Sequence, residues 1–338
     1  MRLNIFVSVS LIFSIAGTTL AQESAPKPIP ATPLASPEAP AKQASTKTPL
    51  YDEKADAKEQ IAAALVKAKK ENRRVLIQWG GNWCPWCIRL HEFYRTDADV
   101  KKKLMYEYDL VFIDAGKPAG KNVELAKSYG ADLQKEGYPF LTVLDANGKP
   151  VANQETASLE AKNSGGESLG IKEGYNPAAV LKFLDDQKAA YANATDLVDH
   201  AIAEAKAKNK IVFLHFGAPW CIWCHRLEDW MARPEISAIL AKDFIDCKID
   251  EDRTIGGKDV ELKYTEGKKT GIPVFFFIDG NGKVLSNSLP GGENIGFPSA
   301  ATEIEHFETM LKSSAKQMSE SDRKTLVESL RTPDKSGK

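Results

Sequence analysis

Four of the five cysteines fall into two pairs of identical spacing, Cys84-Pro85-Trp86-Cys87 and Cys221-Ile222-Trp223-Cys224. Two intervening residues let the sulfurs of a pair meet without leaving one helical turn. That arrangement suits a disulfide that opens and closes. The attacking species in disulfide exchange is a thiolate, not a thiol. A cysteine at a helix N-terminus has unpaired backbone N–H groups aimed at its sulfur, and the helix dipole favours the negative charge. Such a site can lower a thiol pKa from ~8.5 to ~3.5–7.5. Pro85 fits the first helical turn, where its missing N–H costs nothing. Cys84 and Cys221 are therefore expected as exposed nucleophiles. Cys87 and Cys224, one turn inward, are expected to resolve the mixed disulfide.

The same cysteines admit other chemistries. Cys221-Ile222-Trp223-Cys224-His225 is also the haem c attachment pattern, with His225 as axial ligand. The sister motif, however, continues with Ile88. Four paired cysteines also suit structural zinc, but the gap from Cys87 to Cys224 is far longer than the ~15–20 residues of common zinc ribbons. Soft thiolates suit Cu(I), so a copper-handling dithiol protein stays open, as does a non-catalytic module that only binds clients. Cys247 has no partner by arithmetic and reads as a small hydrophobe in a strand.

The elements that must hold these pairs are written twice. Residues 68–87 and 205–224 run in parallel, with an offset of 221 − 84 = 137 at the cysteines. Tyr138-Pro139-Phe140 matches Ile272-Pro273-Val274 at an offset of 273 − 139 = 134, and Asp145-Ala146-Asn147-Gly148 matches Asp279-Gly280-Asn281-Gly282. Each copy predicts the same order. An amphipathic helix comes first (Ile61, Ala64, Leu65, Ala68; Leu197, Ala201, Ile202, Ala205). A continuous apolar strand follows at 75–79 or 211–216, as expected when both faces are buried. The cysteines then open a second helix. A further strand lies at 110–113 or 244–249, and another at 140–144 or 274–278 after the proline. A hairpin turn and a last helix at 177–190 or 298–313 complete the unit. The first copy carries extra residues before its proline and a longer loop from 151 to about 174.

Both copies resemble thioredoxin-fold domains of the W-C-x-x-C kind. The resemblance rests on Trp83-Cys84-x-x-Cys87 and Trp220-Cys221-x-x-Cys224 after an apolar strand, and on Gly137-Tyr138-Pro139 and Gly271-Ile272-Pro273 before the next. It covers about residues 52–314. It implies an α/β fold of two tandem domains, each a central mixed sheet flanked by helices. It also implies thiol–disulfide exchange with protein disulfides through Cys84, Cys87, Cys221 and Cys224. In this family the proline is cis and lies against the cysteine pair. Pro139 and Pro273, with Tyr138 and Ile272, would then offer a backbone edge where a client strand pairs. Trp83, Trp86, Trp220 and Trp223 would form an apolar collar for clients. The family commonly places a buried Asp six residues before the first cysteine; here those positions hold Gln78 and His215, read either as redox-tuning groups or as hydrogen-bonded strand residues.

Composition fits this reading. The chain has 338 residues, 43% hydrophobic and 27% charged, with 45 Lys+Arg against 46 Asp+Glu. A net charge of -1 provides no field for nucleic acid. Residues 1–21, with Arg2 ahead of an apolar run and small residues near Ala21, are expected as a secretory signal peptide; the run is short of the ~20 residues of a membrane span. Residues 22–50 are expected as a Pro/Ala-rich linker, 51–190 and 191–314 as the two domains, and 315–338 as a polar tail. The protein is expected to be exported, most readily to a periplasm, where so few cysteines point to exchange rather than stapling. No metal and no cofactor beyond the two disulfides is expected, and no nucleotide-binding signature is present. Electrons would come from an upstream redox protein and pass to disulfide-containing exported proteins.

Overall fold

The computed structural model describes residues 49–116 and 120–331. The expected signal peptide, nearly all of the expected linker and residues 332–338 lie outside the described residues.

The first domain runs α1 (Ala57–Lys70), β1 (Arg74–Gly80), α2 (Pro85–Thr96), α3 (Ala98–Glu107), β2 (Tyr108–Asp114), α4 (Val123–Ser128), α5 (Leu133–Glu136), β3 (Phe140–Leu144), β4 (Pro150–Glu155) and α6 (Pro177–Gln187). The second runs α7 (Ala194–Lys208), β5 (Ile211–Gly217), α8 (Ile222–Ala232), α9 (Pro234–Asp243), β6 (Phe244–Asp250), α10 (Gly257–Tyr264), β7 (Val274–Ile278), β8 (Val284–Asn287), α11 (Ala301–Ser314) and α12 (Glu320–Arg331). The sheets have equivalent orders, β2-β1-β3-β4 and β6-β5-β7-β8. In each, the first two strands pair parallel and the remainder antiparallel. The helical crossover after the cysteines makes the parallel pair possible, because a parallel return needs a long connection. The hairpins turn on Asp145 and Asp279, whose carboxylates accept from the backbone two and four residues on.

The apolar runs of β1 and β5 are central strands with both faces covered. On one face of the first sheet, Val75, Ile77 and Trp79 pack on Ile61 and Ala68 of α1. On the other, Leu76 packs with Leu90, Leu104 and Leu184 of α2, α3 and α6. The second sheet repeats this, with Phe213, Trp230, Phe275, Phe277 and Phe307 in its largest core.

The tail expected from 315 is a structural part of the second domain. Met318, Leu326, Val327 and Leu330 are buried in the same core as Trp230 and Phe307. The Asp243 carboxylate accepts the N–H groups of Lys316, Gln317 and Met318, at 2.7–2.8 Å, and so fixes the turn into α12. Trp230 Nε1 donates to Ser329 Oγ at 2.8 Å. Only a narrow apolar stripe faces inward, so the segment's composition looks polar. The boundary at 50 also shifts, because Leu50 packs beside the first cysteine pair.

The two domains meet at a buried arginine. Arg253, just beyond β6, reaches Glu107 at the end of α3 at 3.1–3.2 Å. Its guanidinium also donates to the carbonyls of Glu71 and Asn72 between α1 and β1. Tyr191, in the segment joining the domains, donates to the other oxygen of Glu107. Every charge buried there has a partner, which is the condition for burying it without a large penalty.

Leu326→Ala is expected to destabilise the second domain by about 2–5 kcal/mol, the usual loss for a buried leucine. The check is the urea midpoint, which would not move if the segment were a solvated tail.

Candidate functional site: two disulfides at helix N-termini

Cys84 and Cys87 form one disulfide and Cys221 and Cys224 the other. Cys84 is the N-cap of α2 and Cys221 that of α8, both in extended backbone conformation. Each N-cap sulfur accepts the backbone N–H of its own partner cysteine, at 3.2 Å in the first site and 3.1 Å in the second. These are the orphan donors of a helix start, so the structure supplies the electrostatic setting expected from the spacing. The order of burial is also as expected, with Cys87 and Cys224 innermost. The first cysteines are less open than expected, however: Cys84 is 5% exposed and Cys221 4%.

Tyr138–Pro139 and Ile272–Pro273 are cis peptides, and both prolines are buried. The Ile272 carbonyl lies 3.6 Å from Cys221 Sγ, so the proline loop and the cysteine pair form one surface.

The four tryptophans do not form equivalent collars. Trp83 folds back over Gly81, where a Cβ would overlap its indole, and its ring meets Tyr138 edge-on at 5.4 Å. The matching position in the second copy is Ala218, whose Cβ bars that fold. Trp220 instead turns outward, 58% exposed, with Nε1 donating to Asp252 at 2.9 Å. Trp86 is covered by Tyr175 of the first domain's long loop, at 5.6 Å edge-on, and Tyr175 also donates to the Trp86 carbonyl. Arg89 of α2 holds that loop through the carbonyls of Ile171, Lys172 and Glu173. Around the second disulfide, by contrast, Ile222 is 63% and Trp223 44% exposed. Trp223 stacks near Phe297 over a cleft of about 490 Å³ that runs along Gly271–Pro273.

The groups behind the sulfurs differ as well. In the first site Gln78 donates to the Tyr51 hydroxyl at 2.6 Å and to the Cys87 carbonyl at 3.1 Å. Tyr51 is fully buried against Cys87, and burial pushes its phenol up. Gly80 permits this approach, since a Cβ there would lie 2.5 Å from Cys87 Sγ and 2.7 Å from the Tyr51 oxygen. The sequence reading missed Tyr51; an apolar Leu50-Tyr51 step closing a proline-rich stretch was its only signal.

In the second site Gly217 packs against both Cys224 Sγ and Glu228, with a Cβ there 3.2 and 3.9 Å from their nearest atoms. Glu228 is one i,i+4 step from Cys224 on α8 and so shares its face; that spacing was a readable signal. It is buried and pairs with Lys248 at 2.7 Å. Burial acts to raise its carboxyl, but His225 and Lys248 hold it down at about 2. His225 is only partly exposed. Its Nε2 bonds the Pro219 carbonyl at 2.8 Å and its Nδ1 faces Glu228 at 3.9 Å, a contact that raises its pKa. His215 pairs with Asp246 at 2.9 Å. Cys247 is a buried free thiol pushed up to about 12 by burial.

Among the described residues no group of three or more His, Cys, Asp or Glu side chains is placed to hold a metal. Among them, too, no helix is long and apolar enough to cross a membrane.

Comparison with known proteins places each pair in a recognised domain. Residues 61–162 match a "Thioredoxin-like domain" model and residues 193–280 a "Thioredoxin-like" model. A thiol:disulfide interchange protein DsbD of Vibrio vulnificus is 27% identical over 148 residues, which is 41% of this chain and 24% of that protein. The chain thus spans about a quarter of the length of the curated relatives it matches. Among solved structures, a disulphide isomerase from Xylella fastidiosa is 25% identical, covering 41% of this chain and 96% of that one, with a TM-score of 0.33. The oxidised C-terminal domain of Neisseria meningitidis DsbD is 26% identical, covering 36% and 98%, with a TM-score of 0.26. With one such domain model on each side of the repeat, and a W-C-x-x-C disulfide in both, the chain belongs to the thioredoxin-like superfamily, as a tandem of two thioredoxin-fold domains of the thiol–disulfide oxidoreductase type.

Proposed function

We propose that this chain is an exported disulfide reductase or isomerase that acts on protein disulfides through both cysteine pairs. The observation that carries the reading is the doubled N-cap geometry: each disulfide sits at a helix start, with a backbone N–H already aimed at the outer sulfur. In the reduced protein the thiolate of Cys84 or Cys221 attacks one sulfur of a client disulfide. That S–S bond breaks, and the client's other sulfur leaves as a thiolate that takes up a proton. Cys87 or Cys224 then loses its proton and attacks the mixed disulfide. The client leaves as a dithiol and the domain's own disulfide re-forms. Two electrons have passed to the client, and an upstream dithiol protein returns them. The two disulfides are the only cofactors in this scheme. Tyr138 and Ile272, each set beside its cysteine pair by the cis Pro139 or Pro273, supply the edge on which the client strand lies. The likeness to thiol:disulfide interchange proteins supports this assignment, as does the expected signal peptide for export.

Insulin reduction driven by dithiothreitol tests it. The chain is expected to accelerate precipitation of the insulin B chain, and activity equal to that of a Cys84→Ser/Cys221→Ser double variant would sink the proposal.

The two sites should differ in client preference. Seating one apolar client side chain against Trp220, Ile222 and Trp223 is worth about 1.5–3 kcal/mol, or more than about tenfold in affinity. In trap chains that keep only Cys84 or only Cys221 of the four paired cysteines, the Cys221 thiolate is therefore expected to capture a phenylalanine-flanked peptide disulfide, releasing one peptide thiol, in preference to a glycine-flanked one. The covered first site should discriminate less. Trapping yields on non-reducing gels decide the matter.

Charge behind the second pair gives a pH signature. Glu228→Gln removes a negative charge beside Cys224 and leaves the positive Lys248, which favours the thiolate. The alkylation midpoint of the second pair, followed by mass spectrometry, is expected to move to lower pH. That of the first pair should stay in place.

A further inference from the structure

The glycine-rich segment between β8 and α11 contains one side chain whose hydrogen-bonding capacity is fully used at the second site. Asn294 Nδ2 donates to the Gly271 carbonyl and, at 3.0 Å, to the Pro273 carbonyl. Its Oδ1 accepts from Ser288 Oγ at 2.9 Å and from the Gly296 N–H at 3.1 Å. A carboxamide offers two donors and two acceptor lone pairs, and all four are engaged. The amide orientation follows from its partners, because a flip would set carbonyl against carbonyl and donor against donor. Ser288 is itself anchored: it is fully buried, and its Oγ accepts the Phe275 N–H at 3.0 Å on β7.

We propose that Asn294 is a positioning residue of the second redox site, one that fixes the proline loop against which a client strand is read. The two carbonyls it grips flank Ile272, and the Ile272 carbonyl is the one that stands 3.6 Å from Cys221 Sγ. Holding the peptide planes on both sides fixes the plane between them. The first domain has a simpler counterpart, in which the buried Thr156 hydroxyl donates to the Pro139 carbonyl at 2.8 Å. Thr156 follows β4 directly, whereas Asn294 sits in a loop after β8. The chain thus reaches the same carbonyl from unrelated residue types, with a two-point grip in the second site. No other contact requires an asparagine at 294, and an aspartate of equal shape could make only the two accepted bonds.

The inference rests on the exchange reading above, and its test separates the two. The full chain carrying Cys84→Ser and Cys87→Ser reports on the second site alone. In it, Asn294→Ala and Asn294→Asp are expected to slow the reduction of insulin by the Cys221–Cys224 dithiol by about 10- to 100-fold, the scale of a small misplacement of a reacting strand. Reduction of the same disulfide by dithiothreitol, which needs no strand on the loop, is expected to keep its rate. Amide hydrogen exchange at Phe275, whose N–H is held by the Ser288 hydroxyl that bonds Asn294, should accelerate at least about tenfold in both variants, since the gripped loop opens locally. Equal slowing of the insulin and dithiothreitol steps would overturn the proposal, because that is the mark of general loosening. Unchanged amide exchange at Phe275 would overturn it as well. If the parent chain fails to reduce insulin, the exchange reading falls, and amide exchange still decides whether Asn294 holds the loop.

Discussion

The arrangement depends on one constraint: a sulfur must stand at the first turn of a helix that starts directly from a buried central strand. β1 and β5 are covered on both faces, so their C-terminal ends are fixed by the core. Within a few residues the chain has to leave the sheet and start α2 or α8. At that point it has backbone N–H groups with no helical partner. Cys84 and Cys221 occupy the N-cap, a place usually taken by serine, threonine or aspartate, and let sulfur receive the N–H instead. The sheet order, the parallel neighbour strand and the helix beneath the cysteines all serve to hold that junction still.

Much of this was legible because it is local. The spacing of each cysteine pair, the continuous apolar strands and the proline before β3 or β7 carry their meaning within a few residues. The repeat then made two weak signals into one strong one. What was not legible lies in tertiary contact. Tyr51 comes from before the first helix and reaches Cys87 only because Gly80 leaves room. Lys248 faces Glu228 across a strand–helix gap that no sequence pattern announces. The helix at 320–331 has only three buried apolar residues, too few to separate it from a solvated tail by composition. Glu228 is the exception, since an acid four residues after Cys224 on the same helix was readable and was passed over.

The two domains share a plan and differ at the rim. A single methyl separates Gly81 from Ala218, and it decides whether the neighbouring indole lies down or stands out. The loop held by Arg89 adds a cover that the second copy lacks. Behind the sulfurs, an uncharged Tyr51–Gln78 pair in one domain replaces a Glu228–Lys248 ion pair in the other. Duplication has kept the backbone chemistry and left the access and electrostatics of each site free to diverge.

The docking of α12 also sets a timetable. The core of the first domain is complete once α6 has formed, while the second domain is still being made. The core around Trp230 stays open until Met318 through Leu330 arrive, about a hundred residues after the cysteines it supports. During that interval Cys221 and Cys224 have no finished fold behind them, whereas Cys84 and Cys87 already do.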